Sequence, residues 1–139
     1  MIDREIEEDL LPLARQKDIS TLSYSSLALG LLSGTVDPDR LFSGDDQRKD
    51  NSRFSMANRL KARDFAESIR PVADKHAASI AQTVIAWTLA QDGVTFALCG
   101  ARNPEQAQEN AKAGTIRLDK EDLSAIDAAI AVKLADMDR

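Results

Sequence analysis

Apolar residues recur at helical spacing near the start of the chain. The pattern predicts a helix over residues 3–17, with acidic side chains early and basic side chains late, as the helix dipole favours. Pro12 lies inside this segment, where it is expected to remove a backbone hydrogen bond. The next segment, ISTLSY at residues 19–24, alternates and is β-branched, which predicts a first strand.

The middle of the chain is polar before it becomes helical again. Small, hydroxyl-bearing and glycine residues at 25–34 are typical of a loop. The polar segment 35–51 is long for a connection inside one domain, and such loops are often functional or mobile. Helical spacing returns over about 53–76, where Pro71 is expected to kink or break the helix.

A second strand follows another helix. Ser79 and Gln82 form the pattern of a capping box in front of an apolar helix, which Gly93 is expected to end. The apolar run VTFALC, residues 94–99, predicts a strand. The chain therefore leaves this strand through a glycine and enters a polar, proline-led segment.

Two helices are predicted after the second strand. Pro104 suits the first turn of a short helix over residues 103–112, which Gly114 closes. Asp119 is expected to cap the last amphipathic helix. The final residues DMDR, 136–139, are expected to be disordered.

This order of elements predicts an α/β fold with a parallel sheet, because strands alternate with helices. Only two convincing strands are present, whereas a parallel sheet needs several strands covered on both faces. Residues 1–139 are therefore interpreted as one unit that forms part of something larger.

Composition and charge exclude several classes of protein. The 139 residues suffice for one domain. The net charge of −5 without a basic cluster argues against a nucleic-acid-binding protein. A single cysteine, Cys99, excludes a disulfide framework, and no apolar run suggests a signal or a membrane span. We expect a cytoplasmic protein that does not bind membranes.

Two stretches carry a resemblance to a known family. DREIEEDLLPLARQKDISTLSYSSLALGLLSG at 3–34 and VIAWTLAQDGVTFALCGARNPEQAQENA at 84–111 resemble the C-terminal portion of aldo-keto reductases, which are NADPH-dependent carbonyl reductases. The nearest branch contains bacterial aldo-keto reductases and potassium-channel β-subunits. The resemblance implies the C-terminal segment of a (β/α)8 barrel, incomplete as a barrel, whose seventh and eighth strands are residues 19–24 and 94–99.

The resemblance also implies NADP(H) as the cofactor. Tyr24 matches the position whose ring stacks on the nicotinamide, Arg102 the position on the 2′-phosphate, and Glu109 and Asn110 the positions on the adenine. The segment along the pyrophosphate matches Ser25, Leu27, Gly30, Ser33 and Gly34. The adenosine side as a whole matches Gly100, Arg102, Gln106, Glu109 and Asn110.

Physical arguments agree with this assignment. Loops and a helix N-terminus after the last strands of a barrel commonly form a phosphate site, and a guanidinium suits a dianionic phosphate. Gln106, Glu109 and Asn110 have the spacing that places them on one helical face. Two departures weaken the match, since Ser26 replaces a usual proline and Thr35 replaces a lysine that would lie near the pyrophosphate.

The family's catalytic Asp, Tyr, Lys and His lie on earlier strands, and Met1 begins just after the place of the sixth strand. No catalytic or metal-binding residue is therefore assigned, and the isolated chain is expected to be inactive. The whole enzyme would reduce an aldehyde or ketone with NADPH. The alternative is a non-catalytic interaction module that completes a barrel with another chain, such as an N-terminal barrel portion, or that self-associates.

Simpler interpretations of single residues stay open. Tyr24 could be a half-buried core aromatic and Arg102 a solvated loop arginine. Trp87 is expected in the core, and Cys99 is expected to be a small buried hydrophobe without a lowered pKa. His76 is expected to lie exposed at a helix end.

Overall fold

The computed structural model describes residues 1–137. The main elements, in chain order, are helix α1 (Leu10–Gln16), strand β1 (Leu22–Ser23), helix α2 (Met56–Lys75), helix α3 (Ile80–Leu89), strand β2 (Phe96–Ala97), helix α4 (Pro104–Ala113) and helix α5 (Lys120–Lys133). Short 3-10 helices lie at Glu5–Glu7, Ala28–Gly30 and Ser52–Phe54.

The two strands pair in parallel and form the sheet of the described residues. Leu22 lies opposite Phe96, and Ser23 lies opposite Ala97. The amide of Leu98 donates to the carbonyl of Ser23 at 2.7 Å, which carries the pairing past the end of β1. The predicted α/β class is confirmed, and the two described strands form an open sheet rather than a closed barrel. Each strand is shorter than the segment that predicted it, 19–24 for β1 and 94–99 for β2.

Helix α1 is shorter than the predicted helix over 3–17. A 3-10 turn at Glu5–Glu7 comes first, and α1 begins at Leu10. Pro12 therefore falls in the first turn, where backbone N–H groups have no partner within the helix. The proline costs no helical hydrogen bond there.

Helix α2 continues without a break through Pro71, so the expected break is wrong. The ring of Pro71 lies on the exposed side of the helix. The neighbouring side chains of Ile69 and Val72 are buried at 1% and 7% exposure. Packing of the apolar face holds the helix across the proline, whose cost is limited to local hydrogen bonding.

Caps begin the later helices as the sequence predicts. Ser79 and Gln82 form a capping box at α3, and Pro104 occupies the first turn of α4. Asp119 caps α5. Helix α3 ends at Leu89, before Gly93, which lies in the turn that leads to β2.

The core lies among the helices. Its largest fully buried side chains are those of Trp87, Phe65, Leu31, Ile69 and Ile126, with Val84. Trp87 is a core residue as predicted, and its indole N–H donates to Asp127 Oδ1 at 3.2 Å. Met137 also packs into this core, so the expectation of disorder over DMDR is wrong at that residue, while residues 138–139 lie outside the described part of the chain.

The long polar segment 35–51 is fastened to α2. Arg59, on the first turns of α2, donates to the carbonyl of Arg40 at 2.6 Å. The ring of Phe42 packs edge-on against Phe54, with centroids 5.5 Å apart, and the guanidinium of Arg48 lies 4.6 Å from the centre of the Phe42 ring. These contacts give a segment without helix or strand a defined path over the surface.

Candidate nucleotide-binding site

The register of the sheet brings two predicted site segments to one end. Because Ser23 pairs with Ala97 in parallel, residues 24–34 and 98–110 both leave the carboxyl ends of neighbouring strands. Ligands bind at this end of parallel sheets in α/β proteins. The pairing therefore brings the loop 24–34 close to the segment 98–110, as the family resemblance implies.

Tyr24 projects away from the core. Its side chain is 81% exposed, so its interpretation as a half-buried core aromatic is wrong. It directly follows β1, at the ligand-binding end of the strands. The phenol ring of Tyr24 is therefore accessible for stacking against an aromatic ring of a ligand.

The loop 25–34 has an unusual backbone. Ser25, Ala28 and Leu29 all have positive φ angles, of 56°, 48° and 55°, although none is glycine. L-residues rarely adopt this region, and such strain concentrates at ligand-binding and active sites. Successive short turns hold the path, with the amide of Ala28 donating to the carbonyl of Ser25 at 2.7 Å. The sequence predicted a loop here without indicating its left-handed turns.

Both ends of this loop are anchored. Leu31 and Leu32 are buried at 1% and 2% exposure, and Leu27 packs against the same core. The hydroxyl of Ser33 donates to the carbonyl of Gly30 at 2.7 Å. The segment matched to the pyrophosphate is therefore a fixed turn seated on the core.

Gly34 is where the loop passes over the start of α3. Its φ angle is 77°, and a β-carbon added there would lie 2.6 Å from Cβ of Ile80. Only glycine fits this approach. Any larger residue would push the loop away from α3.

Polar side chains shape the turn between β2 and α4. Asn103 caps α4 by accepting from the amide of Gln106 at 2.8 Å. Gln106 Oε1 accepts from the amide of Arg102 at 2.9 Å. Asn110 Nδ2 donates to the carbonyl of Gly100 at 3.1 Å. Gln106 and Asn110 thus hold the backbone of this turn in place.

Asn103 was missed by the sequence analysis, although a signal for it existed. An asparagine immediately before a proline at the first helical position is a typical cap. Gln82, predicted only as a capping residue, also joins two helices, because its Nε2 donates to the carbonyl of Glu109 at 3.0 Å and fixes α4 to α3. No local pattern would have indicated that long-range contact.

The side chain of Arg102 is exposed at the amino end of α4. Within residues 1–137 its guanidinium has no carboxylate partner among the ion pairs, whereas its backbone is fixed by Gln106. The N-terminus of α4 contributes partial positive charge beside it, although Glu105 lies in the same first turn. The arrangement presents a positioned cation that is free to meet an anionic group.

Cys99 lies where the two segments meet. Burial raises the pKa of its thiol, and the adjacent Ser26 hydroxyl partly offsets that rise. The prediction that no group lowers this pKa below the ordinary value is confirmed. A thiol with a raised pKa is a poor nucleophile near neutral pH.

His76 ends α2, as predicted, but it lies in an ionic cluster away from this site and is not exposed as expected. Its side chain is 20% exposed, and its Nε2 lies 2.7 Å from Asp122 Oδ2. Lys75 pairs with Asp122 at 2.8 Å and with Asp119 at 2.7 Å. Burial alone would raise the pKa of Asp122, but hydrogen bonds from Lys75 and His76 outweigh it and lower that pKa to about 2. The cluster joins the end of α2 to the start of α5.

Residues 1–137 contain neither a cluster of metal-binding side chains nor a helix that could span a membrane. No group of three or more His, Cys, Asp or Glu side chains is arranged there to hold a metal ion. None of the helices in that range combines the length and apolar content required to cross a bilayer.

Comparison with known proteins identifies the family. Residues 1–131 match the model of the aldo/keto reductase family. The chain belongs to this family, as the two quoted stretches predict.

Relatives and solved structures agree with this membership. The chain is 36% identical to an NADH-specific methylglyoxal reductase of Escherichia coli over 122 residues, which is 88% of this chain and 37% of that protein. It is 30% identical to a probable voltage-gated potassium channel β-subunit of Arabidopsis thaliana, over 78% of this chain and 34% of that protein. The structure superposes on a glycerol dehydrogenase of Gluconobacter oxydans with a TM-score of 0.86 and 30% identity, over 99% of this chain and 42% of that one.

The chain thus spans well under half the length of the relatives it matches. Its fold is that of a part of an aldo-keto reductase barrel.

Proposed function

We propose that this chain supplies the nicotinamide-nucleotide-binding portion of an aldo-keto reductase. The whole enzyme would reduce an aldehyde or a ketone by hydride transfer from the bound nucleotide, which supplies that chemistry. The observation that carries the proposal is the parallel pairing of β1 with β2, which sets the loop 25–34 and the start of α4 at one end of the sheet.

The residues of both segments suit the parts of a dinucleotide. The exposed ring of Tyr24 offers a stacking surface to the nicotinamide. The turns that include Ser25, Gly30 and Gly34 offer a backbone path for the pyrophosphate. The proposal extends to Leu27 and Ser33, which hold that path, and to Gly100, whose carbonyl is fixed by Asn110.

The proposed nucleotide is NADP(H), and this choice rests on Arg102. One relative is named as NADH-specific, so family membership does not choose between the two nucleotides. A guanidinium positioned beside a helix N-terminus favours the extra 2′-phosphate of NADP(H). The adenine would lie along the α4 face that carries Gln106, Glu109 and Asn110.

The proton donor and its partners would come from earlier strands of the barrel. The positions discussed in this chain bind and orient the nucleotide, and none is assigned to proton transfer. A cytoplasmic location belongs to the same proposal and is supported by the lone cysteine, whose thiol is free.

A second candidate function is a non-catalytic module that completes a barrel with another chain or associates with itself. The exposed apolar side chains of Leu22 and Phe96, at 57% and 56% exposure, favour it. This candidate and the first share the same fold and differ in whether nucleotide binding is used.

Hydrogen exchange measured by mass spectrometry tests the proposed nucleotide site. With NADP+ in excess, protection is expected over residues 24–34 and 100–110 and not over the cluster at the end of α2. Adenosine 2′,5′-bisphosphate, which lacks the nicotinamide half, should protect 100–110 fully and 24–34 less than NADP+ does. If neither segment gains protection at millimolar nucleotide, the proposed site is wrong.

A further inference from the structure

The stretch of chain that forms β1 and the loop after it carries no charge. Residues 19–36 contain no Asp, Glu, Lys, Arg or His, although charged residues make up 29% of the chain. This stretch includes the whole of the loop 25–34, which is proposed to follow the pyrophosphate. A negatively charged pyrophosphate therefore meets no cationic side chain that belongs to this loop.

Three arginines that follow in the chain are held elsewhere. The guanidinium carbons of Arg40, Arg48 and Arg59 lie 5.4, 4.6 and 5.5 Å from the centre of the Phe42 ring. Arg48 also pairs with Asp46 at 2.6 Å, and Arg59 donates to the carbonyl of Arg40 at 2.6 Å. These three cations are therefore committed to the polar segment that follows the loop.

The hydroxyl groups at the end of the loop are also engaged. The hydroxyl of Ser33 donates to the carbonyl of Gly30 at 2.7 Å, and its oxygen lies 2.9 Å from Thr35 Oγ1. Because the single hydroxyl proton of Ser33 goes to Gly30, the hydroxyl of Thr35 donates the second bond. The hydroxyl oxygen of Ser26 is buried. None of these three hydroxyls keeps an accessible proton for a ligand.

The main chain at the start of the loop retains two free donors. The N–H groups of Ser26 and Leu27 have no hydrogen-bond partner within residues 1–137, and both residues are half-buried. Backbone N–H groups withdrawn from water need an acceptor, and successive N–H groups in a turn suit an anion. Aldo-keto reductases usually have a proline where this chain has Ser26, and proline has no N–H to donate. The donor at Ser26 is therefore a feature that this chain adds to the loop.

We propose that the uncharged main-chain donors of Ser26 and Leu27 hold the pyrophosphate of the nucleotide, and that Arg102 is the one residue of the site that attracts the nucleotide by charge. Arg102 is the single basic residue in the two site segments, 24–34 and 98–110. This inference rests on the proposed function, since it names the groups of that site that contact the pyrophosphate and the 2′-phosphate. The two phosphate positions then respond differently to salt, because screening weakens an ion pair more than a hydrogen bond from an uncharged N–H.

Titration calorimetry at two salt concentrations tests this difference. Raising NaCl from about 0.01 M to about 1 M shortens the Debye length from about 30 Å to about 3 Å. The affinity for NAD+, which has no 2′-phosphate, should not fall, because screening also relieves the repulsion by the net charge of −5. The affinity for NADP+ should fall about fivefold or more, since its ion pair with Arg102 is screened. Arg102→Ala should remove that fall, and Arg63→Ala should retain it.

Two substitutions at one position separate the amide of Ser26 from its hydroxyl. Ser26→Pro removes the N–H and should weaken NAD+ binding about tenfold, which corresponds to one hydrogen bond to a charged group. Ser26→Ala keeps the N–H and removes only the buried hydroxyl, so it should bind NAD+ as the unmodified chain does. The far-UV spectra of both variants are compared, since a proline also restricts the backbone of Ser25.

Thr35→Lys tests the same claim without a proline, because it places a cation at the end of the uncharged loop. NAD+ should bind this variant several-fold more tightly at low salt, and the gain should vanish at about 1 M NaCl. Val132→Lys is the matched control, since it adds the same charge at a position of α5 that is 75% exposed. It should change neither the affinity for NAD+ nor its response to salt.

Three results would overturn the proposal. They are an affinity of the unmodified chain for NAD+ that falls more than about twofold as NaCl is raised, equal binding by Ser26→Pro and Ser26→Ala, or no salt-dependent gain from Thr35→Lys. Hydrogen exchange is measured on the same samples. Protection over residues 24–34 and 100–110 together with any of these results contradicts the pyrophosphate contacts alone. Absence of protection over both segments contradicts the proposed function and this inference with it.

Discussion

Ser23 of β1 lies opposite Ala97 of β2 in a parallel register, although the whole of α2 and α3 separates them in the chain. This pairing is the structural basis of the candidate site. It turns two segments that are distant in sequence, 25–34 and 100–110, into neighbours at the carboxyl ends of adjacent strands.

The first prediction is that the isolated chain has no reductase activity. General acid catalysis contributes about 10² to 10⁴-fold, and no residue of this chain is assigned to donate the proton. Purified chain mixed with NADPH or NADH and a panel of aldehydes and ketones should oxidise no nucleotide above the uncatalysed rate. Steady turnover that survives removal of host reductases would show that a catalytic group is present in this chain.

Local interactions made much of this fold predictable. The capping box of Ser79 with Gln82 and the cap at Asp119 each join residues a few positions apart in the chain. The residue types at these positions therefore predict where the two helices begin. The alternating segment 19–24 and the apolar run 94–99 also located the two strands. Their lengths were overestimated, because the number of residues that pair depends on the neighbouring strand, which the run itself does not contain.

Long-range contacts account for what the sequence left out. The bond from Gln82 to the Glu109 carbonyl and the pairing of His76 with Asp122 join segments far apart in the chain. The helix propensity of proline predicted a break at Pro71. Helix α2 continues through it because the apolar side chains on either side, Ile69 and Val72, are buried in the core. In the site, the resemblance supplied the residues, and the structure added their arrangement, including the capping role of Asn103.

The second prediction concerns self-association of the isolated chain. The exposed apolar side chains of Leu22, Phe96 and Leu98 and the free strand edges favour contact between copies. We expect size-exclusion chromatography with light scattering to show species larger than a monomer, or a dye for apolar surfaces to bind and the melt to lack cooperativity. A monodisperse monomer with a sharp two-state melt would mean that these 139 residues form a self-sufficient domain.

The third prediction is that Arg59 holds the polar segment 35–51 in place. Its guanidinium donates to the Arg40 carbonyl at 2.6 Å, and hydrogen bonds from charged groups are worth about 1.5 to 3 kcal/mol. Arg59→Ala should therefore speed chymotryptic cleavage near Phe42 about tenfold or more. Arg63→Ala, on the exposed side of the same helix, is the control and should leave the cleavage rate unchanged. Equal rates for both variants would show that the segment is held by other contacts.

The fourth prediction concerns acid stability. The pKa of Asp122 is lowered from an ordinary value of 3.8 to about 2 by Lys75 and His76. A carboxyl group with a lowered pKa in the folded state stabilises it fully above the unfolded pKa, and this contribution is lost as pH falls from about 4 towards 2. Helical ellipticity at 222 nm should fall in that range.

Asp122→Asn removes the titrating group of the cluster, so its ellipticity should depend less on pH over the same range and should be lower near neutral pH. Asp45→Asn, at an exposed position of the polar segment, is the control. Identical pH profiles for the unmodified chain and Asp122→Asn would mean that the cluster contributes nothing to folding.

Titration calorimetry of NADP+ and NAD+ measures whether the turn before α4 holds a 2′-phosphate. The unmodified chain should bind NADP+ about tenfold to a hundredfold more tightly than NAD+, from about 1.5 to 3 kcal/mol of charge-assisted hydrogen bonding. Arg102→Ala should erase this preference, whereas Arg63→Ala should keep it. Equal affinities for the two nucleotides in the unmodified chain would show that no 2′-phosphate site exists here and that Arg102 is an ordinary surface arginine.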